Sequence, residues 1–148
     1  MKLQTAFLDV SRVFLDTAPV IYYVESNPAY ADVTTPIFDG IDSGRWHAIT
    51  SAITLAEALV VPYRQDLDKL QQDFADLIVS GKNTICVPID SMTGRKAARL
   101  RAIYNLTLIV AIQIAAAIQA NCDVFLTNDV GLKRVTEIEV LLIRELEA

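Results

Sequence analysis

Apolar and polar residues follow two different periods along this chain. Short apolar runs typical of buried strands occur at residues 13–15, 46–50, 84–89, 124–127 and 140–143. Between these runs, apolar residues recur at three- and four-residue intervals, which is the spacing of one face of a helix. Strands separated by helical stretches predict a mainly parallel sheet with right-handed crossovers, and therefore an α/β fold.

Proline, glycine and capping residues mark the ends of the helices. The first two helices are predicted as a hairpin, from about Ala18 to Glu25 and from about Ala29 to Ser43. The later helices are predicted from Ser51 until Pro62 kinks or closes the helix, from Asp66 to Gly81, from Asp90 or Ser91 to about Tyr104, and from Leu106 to near Asn121. The last is the most apolar stretch, but it is shorter than the ~20 residues of a bilayer span, so a buried helix is predicted.

One carboxylate stands where an apolar strand turns directly into a helix. Phe14 and Leu15 suit a buried strand, and Thr17 can cap the following helix. Pro19 suits the first turn of that helix, because the N–H that it lacks would have no partner there. Asp16 is therefore predicted at the carboxyl end of a strand, which is the edge where open parallel sheets bind ligands.

Residues 1–12 are predicted as an N-terminal extension and residues 13–148 as a single domain. The extension contains Phe7-Leu8-Asp9, a partial copy of Phe14-Leu15-Asp16, but no proline-containing helix start follows it. Asp9 is therefore interpreted as a solvated carboxylate. A chain of 148 residues has the length of one domain and can bury a sizeable core.

Composition limits the classes of function open to the chain. Its 13 basic and 18 acidic residues give a net charge of -5, which argues against nucleic-acid binding driven by overall charge. Hydrophobic residues make up 53% of the chain, which is high for a soluble monomer, so a homodimer is expected. The N-terminus lacks a secretory signal and no segment is long enough to span a bilayer, so a cytoplasmic protein without membrane contact is expected.

Two further acids are predicted near Asp16. Asp129 follows the strand 124–127, so a parallel sheet places it at the same edge as Asp16. Glu57 lies on a helix among the apolar residues of the segment 53–60, and a carboxylate packed in this way must be paired, protonated or metal-bound. Clustered carboxylates without His or Cys favour Mg²⁺ or Mn²⁺, which orient and activate water for attack on a phosphodiester.

Each of these acids also has a structural explanation of its own. Asp16 would cap its own helix, and Glu57 would be a partly exposed helix acid. Asp129 would cap a turn together with Asn128. Each explanation is favoured when its acid is considered alone, but three acids on one predicted edge are better explained as a site.

Four segments together resemble a PIN domain, and they are most similar to the single-domain VapC-type toxin ribonucleases. They are Phe14-Leu15-Asp16-Thr17, Thr54-Leu55-Ala56-Glu57-Ala58, the helix Leu106–Ile118 and Val124-Phe125-Leu126-Thr127-Asn128-Asp129. The resemblance covers nearly all of the chain from Val13 onward. It implies a three-layer α/β/α sandwich and a metal-dependent endoribonuclease, usually a homodimer and often paired with a small inhibitory antitoxin.

The resemblance also implies roles for individual residues. Asp16 matches the first acid of the family, Glu57 the second, and Asp129 the acid that follows the Thr-Asn pair. Supporting positions are matched by Thr17, Thr127 and Asn128.

One position departs from the family pattern. The family usually has a Pro-Asp-Ala step where the apolar helix begins, whereas this chain reads Leu108-Ile109-Val110-Ala111, with Val110 in place of a third carboxylate. Valine cannot ligate a cation. Two alternatives follow: either Asp16, Glu57 and Asp129 still hold one metal weakly with extra waters, or the chain is a catalytically defective binding or regulatory protein that keeps the fold.

Two surfaces suggest partners. The cluster Arg95, Lys96, Arg99 and Arg101 could contact RNA phosphate or an acidic partner, although a solvated helix face explains each member alone. Tyr22 and Tyr23 form an aromatic face on the first helix. Together with the resemblance to toxins, this face predicts a small partner peptide lying across the first two helices toward the acidic edge.

Overall fold

Five parallel strands form the centre of the fold in the computed structural model, which describes residues 1–148. The strands are β1 (Arg12–Leu15), β2 (His47–Ser51), β3 (Thr84–Val87), β4 (Val124–Thr127) and β5 (Glu139–Leu142). Their spatial order is β3-β2-β1-β4-β5, and every neighbouring pair is parallel. The predicted α/β class and parallel sheet are confirmed.

Helices cover both faces of this sheet. They are α1 (Leu3–Ala6), α2 (Thr17–Val24), α3 (Ala31–Asp42), α4 (Ala52–Arg64), α5 (Asp68–Ser80), α6 (Ser91–Tyr104) and α7 (Leu108–Gln119), with 3-10 helices at Val130–Arg134 and Ile143–Glu145. Alternate residues of β1 face opposite layers, as the pleat of a strand requires. Val13 and Leu15 pack in the cluster with α2 to α5, and Phe14 packs in the cluster with α6 and α7. The result is the predicted three-layer sandwich.

The apolar helix α7 forms the centre of one layer. Ala111 and residues 113–117 are all buried, so the prediction of a buried helix is confirmed. No single helix of the structure has the length and apolar character of a membrane span. Helices α6 and α7 have the length and apolar character of a span only when they are taken together, and a bend of 119° separates them.

Several predicted boundaries differ from the observed ones. Helix α5 begins at Asp68 and not at Asp66, because Asp66 lies in the preceding turn with a φ of 53°. Helix α7 begins at Leu108, two residues later than predicted, because the Thr107 side chain caps it. Helix α4 continues past Pro62 to Arg64, and β3 ends two residues earlier than predicted.

The residues before β1 pack against the rest of the fold. Leu3 and Phe7 are buried, and the Phe7 ring centroid lies 4.7 Å from that of Trp46. Asp9 is exposed, and Arg12 is the first residue of β1. The division of the chain into residues 1–12 and 13–148 stays a prediction.

Trp46 fixes helix α3 against the start of β2. Its indole N–H donates a hydrogen bond to the carbonyl oxygen of Ile37 at 2.9 Å. The indole ring fills the space beside Gly40, where an added Cβ would lie 2.1 Å from the ring carbon Cζ2. Glycine at position 40 is therefore required by the close approach of the helix to the ring.

Candidate active site

Asp16 lies at the carboxyl end of β1, where the chain turns into α2. Its Oδ1 accepts a hydrogen bond from the backbone N–H of Thr17 at 2.9 Å, so Asp16 is the N-cap of α2. Its Oδ2 accepts a hydrogen bond from the hydroxyl of Thr127 at 2.8 Å. The prediction that Thr17 caps this helix is wrong, because a carboxylate at the N-cap position already satisfies the first N–H.

The Thr17 side chain contacts the second acid instead. Its hydroxyl donates a hydrogen bond to Oε1 of Glu57 at 2.6 Å. Glu57 is exposed, so the prediction that it packs inward among apolar residues is wrong. The buried stripe of α4 consists of Thr54, Ala58 and Pro62, and Glu57 lies beside it on the solvent side.

Asp129 follows β4 and is exposed. Its Oδ1 accepts a hydrogen bond from the N–H of Gly131 at 3.0 Å and so caps the 3-10 helix that follows. Its own N–H donates a hydrogen bond to the Thr127 hydroxyl oxygen at 3.1 Å. Thr127 therefore contacts both Asp16 and Asp129, and its supporting role in a site stays a prediction.

The charges of the three acids interact. The pKa of Asp16 is raised above its ordinary value of 3.8, first because burial disfavours the charged form. The negative charges of Glu57 and Asp129 raise it further, while the hydrogen bonds from Thr127 and Thr17 oppose the shift. As the side chains stand, no three acid, histidine or cysteine groups are arranged to hold a metal ion. The assignment of the acids to one active site stays a prediction.

These acids lie on an open edge, and a separate cavity elsewhere in the fold does not include them. That cavity has a volume of about 520 Å³ and lies between α2 and α5, where Tyr23 and Asp76 are among the lining residues. Glu57 and Asp129 are instead directly accessible from solvent. An exposed edge of this kind has room for a long polymer, whereas pockets for small molecules are usually concave.

A buried hydrogen-bond network joins α4 and α7 to β1 next to Asp16. Gln113 donates to the Thr54 hydroxyl at 2.8 Å, and that hydroxyl donates to the carbonyl oxygen of Leu15 at 3.3 Å. The Ser51 hydroxyl donates to the Gln113 side-chain oxygen. Sequence reasoning gave these residues no such function; the signal available was a glutamine inside an otherwise apolar helix.

Val110 lies in the first turn of α7, on the side that approaches α4. It is partly buried, and its N–H donates to the Thr107 hydroxyl oxygen at 3.4 Å. Val110 is one turn before Gln113, whose partner Thr54 is one turn before Glu57. The valine side chain also packs against the apolar cluster of α6 and α7. Position 110 thus lies one helical turn from the Gln113 network and against an apolar layer.

Asn128 contacts Tyr22 and Arg144, and its hydrogen bonds do not reach the acids. Its side-chain amide donates to the Tyr22 hydroxyl at 3.2 Å. Its side-chain oxygen accepts from the backbone N–H of Arg144 at 3.1 Å and from the guanidinium Nε at 3.0 Å. Its carbonyl oxygen accepts from Nη2 of the same arginine at 2.8 Å. Sequence reasoning missed Arg144, because nothing near it in the sequence marks it.

The basic cluster of α6 is divided among several contacts. Lys96 forms an ion pair with Glu137 at 3.7 Å, and Arg101 donates to the carbonyl oxygen of Leu106. Arg95 and Arg99 are exposed. Two of the four members therefore have structural roles, and two remain available to a partner.

The tyrosines of α2 pack within the helical hairpin. The Tyr22 ring stacks on Tyr30 at 4.3 Å, and the Tyr23 ring stacks on Phe38 at 4.0 Å. Both rings are partly buried by these contacts. The faces of both rings are covered by stacking within the helical hairpin. A partner at this surface would therefore contact the ring edges and the Tyr22 hydroxyl.

The structure is an α/β domain with acids at the carboxyl ends of its parallel strands, which is the edge where open sheets of this class bind ligands. The family model of the PIN domain matches residues 13–138, and the chain belongs to that family. The resemblance seen in the sequence is therefore confirmed. None of the curated proteins matches the chain.

Solved structures with the same fold are toxin–antitoxin proteins. VapBC2 from Rickettsia felis, bound to a DNA fragment from its promoter, is similar with a TM-score of 0.70 at 15% identity, over 93% of this chain and 99% of that one. A toxin–antitoxin complex from Klebsiella pneumoniae gives a TM-score of 0.67 at 16% identity, over 88% and 97%. VapC20 of Mycobacterium tuberculosis, a toxin that cleaves the sarcin-ricin loop, gives 0.63 at 11% identity, over 76% and 86%. At these identities the similarity establishes the fold.

Proposed function

We propose that this chain is a metal-dependent endoribonuclease of the PIN type, with a site weakened by Val110. One observation carries the proposal: Asp16 is partly buried at the carboxyl edge of the sheet, and the charges of Glu57 and Asp129 add to the rise in its pKa. An uncompensated cluster of negative charge is unfavourable, and a bound cation would offset it. Membership of the PIN family supports the choice of RNA as substrate.

The donor set fits a hard divalent cation. Carboxylate oxygens are the ligands that Mg²⁺ and Mn²⁺ prefer, and Asp16, Glu57 and Asp129 would supply them together with waters. The side chains of Glu57 and Asp129 are exposed and can rotate toward the ion. When bound, such an ion orients and activates water for attack on a phosphodiester and neutralises charge on the phosphate.

The residues around the acids hold them in place. Thr127 donates to the Asp16 carboxylate and accepts from the backbone N–H of Asp129, so one hydroxyl orients the first acid and ties down the backbone of the third. Thr17 orients Glu57 in the same way from the other side. Supporting contacts of this kind keep ligands ready to bind an ion without rearranging the backbone.

The metal requirement provides the first test. Mn²⁺ should raise the melting temperature of the chain and should be required for cleavage of a labelled RNA, whereas EDTA should abolish cleavage. Glu57→Gln should weaken the affinity for Mn²⁺, seen in the melting temperature, and the rate of cleavage by about tenfold or more each, because it removes one negative ligand. Glu25→Gln is a matched control at an exposed acid on α2's C-cap, and it should change neither response. Absence of any metal response at high Mn²⁺ would contradict the proposal.

A specific observation favours a second candidate function. Val110 supplies no ligand and packs against an apolar cluster, as expected of a chain that keeps the fold and has lost the chemistry. Such a chain would act as a binding or regulatory protein. It would show the PIN fold with neither metal-dependent stability nor cleavage of RNA.

Restoring a carboxylate at position 110 separates the two functions. Val110→Asp should fold, because the first turn of α7 favours negative charge, and it should cleave RNA several-fold faster with Mn²⁺ than the natural chain does. Ile109→Asp adds the same charge to the same turn at an exposed position, and it should leave the metal response unchanged. If Val110→Asp unfolds, or folds without a metal response, position 110 belongs to the core and not to the site.

Partners follow from the same family. Toxin–antitoxin complexes among the similar structures support a small antitoxin as a partner of this chain. Its position across α2 and α3 stays a prediction. Exposed Val60, Val61 and Tyr63 at the end of α4 support a homodimer, because they are large apolar side chains open to solvent. The homodimer and the cytoplasmic location stay predictions.

A further inference from the structure

Arg144 is held rigidly at the same edge of the sheet as the acids. It lies in the 3-10 helix directly after β5, whose last residue, Leu142, is paired with Thr127 at the end of β4. Two of its guanidinium nitrogens donate to Asn128, Nε to the side-chain oxygen at 3.0 Å and Nη2 to the carbonyl oxygen at 2.8 Å. Asn128 immediately precedes Asp129, so the guanidinium lies next to the acidic edge.

The guanidinium retains donors that the protein does not use. A guanidinium has five N–H groups, and Nε and Nη2 contribute one each to Asn128, while Nη1 contributes none to the protein. Arg144 is exposed and forms no ion pair. The adjacent acid, Glu145, is paired with Lys133 at 3.0 Å. The positive charge of Arg144 is therefore available to an external anion.

Holding the backbone in place does not explain this arrangement. The Arg144 backbone N–H already donates to the Asn128 side-chain oxygen at 3.1 Å, so the end of β5 is tied to the end of β4 without the guanidinium. The further contacts fix the orientation of a long charged side chain, which would otherwise be flexible. A fixed planar fork of donors matches the oxygens of a phosphate.

We propose that Arg144, oriented by Asn128, binds a backbone phosphate of an RNA strand that crosses the acidic edge. The inference rests on the proposed ribonuclease function and deepens it, because it names a residue that positions the strand. In a chain of net charge -5, an acidic edge repels a polyanion unless a local cation holds the strand. Arg144 is a positioning residue, and the acids remain the candidates for the chemistry.

The test measures binding without cleavage. A fluorescein-labelled 12-nucleotide single-stranded RNA is titrated in EDTA, and its affinity is followed by anisotropy as salt rises from about 50 to 200 mM. The logarithm of the binding constant falls linearly with the logarithm of the salt concentration, and each phosphate contact to a single strand contributes about 0.7 to the steepness of that line. Arg144→Gln should therefore make this salt slope less steep by about 0.7 and weaken the affinity about tenfold. Arg144→Lys should keep the slope but lose part of the affinity, because it keeps the charge without the fork.

A matched control is Arg64→Gln. Arg64 is exposed at the end of α4, a helix that begins at the acidic edge and runs away from it. Arg64→Gln should therefore change neither the salt slope nor the affinity for RNA. Unchanged binding by Arg144→Gln overturns the inference, and the proposed function survives if the natural chain still cleaves RNA. If the natural chain binds RNA through Arg144 but cleaves none with Mn²⁺, the inference stands and the proposed function fails. No RNA binding by the natural chain overturns both.

Discussion

Asp16→Asn is expected to abolish RNA cleavage and, at pH 7, to raise the melting temperature of the chain. Cleavage should fall by at least about a hundredfold, because Asp16 is the one partly buried acid of the three and the proposed ligand with the most fixed position. Stability should rise because asparagine has nearly the same shape and carries no charge into the partly buried position. Activity and stability should therefore change in opposite directions.

The pH dependence of stability follows from the sign of the pKa shift. Asp16 has a raised pKa in the folded chain, so the folded chain binds the proton more tightly than the unfolded chain does. Ionisation of Asp16 thus lowers the free energy of unfolding as pH rises through the folded pKa, and this loss is absent below the ordinary value of 3.8. The melting-temperature difference between Asp16→Asn and the natural chain should be largest near neutral pH and should shrink toward that value.

Asp9→Asn provides the matched control. It changes the same residue type in the same local sequence, Phe7-Leu8-Asp9, at an exposed position. Neither cleavage nor the pH profile of the melting temperature should change. Metal-dependent cleavage that survives Asp16→Asn would remove Asp16 from the site. A lower melting temperature at pH 7 would mean that the hydrogen bonds from Thr17 and Thr127 outweigh the cost of burying the charge.

Gly40→Ala is expected to destabilise the fold by about 3 kcal/mol or more, because the new methyl group would overlap the indole ring of Trp46. The ring cannot move aside easily, since it is buried and its N–H is bound to Ile37. Unfolding in urea, followed by far-UV circular dichroism, gives the change in free energy of unfolding. A large loss of unfolding free energy would confirm that α3 and the Trp46 ring are too close together to admit a methyl group.

Gly94→Ala is the control for Gly40→Ala. Both glycines lie inside helices, so both substitutions gain the same helix propensity, up to about 1 kcal/mol. A Cβ at Gly94 would meet nothing within 4 Å, so that gain should appear in full. If both substitutions stabilise the chain, the contact between Gly40 and Trp46 is looser than described.

The parallel sheet and its acidic edge could be predicted from short-range patterns in the sequence, whereas the three layers were implied by the resemblance to the PIN domain. Strand runs separated by helical runs leave a parallel sheet as the consistent arrangement, and the acids after β1 and β4 then lie at one edge. The environment of Glu57 could not be predicted in this way. Its neighbours in sequence are apolar, but the buried stripe of α4 runs through Thr54 and Ala58, and a shift of one residue around a helix changes burial completely.

Long-range contacts set the other limit. The partners of Asn128 are Tyr22 and Arg144, which lie 106 and 16 residues away in sequence, and no local pattern connects them. In the sequence, Gln113 is only an interruption of an apolar helix. Its partners Ser51 and Thr54 are known only from the folded structure. Arg144 and the Gln113 network were therefore the least predictable part of the candidate site, whereas the acids themselves were marked by their places after strands and on a helix.

The contacts of Thr127 have a consequence for synthesis of the protein. Asp16 and Glu57 emerge early from the ribosome, but the hydroxyl that orients Asp16 belongs to β4, 111 residues later in the chain. A nascent chain that stalls before Thr127 therefore carries Asp16 without the hydroxyl that orients it, and it also lacks Asp129. Incomplete translation products of this chain would therefore lack the proposed ribonuclease activity, which would arise only after β4 has paired with β1.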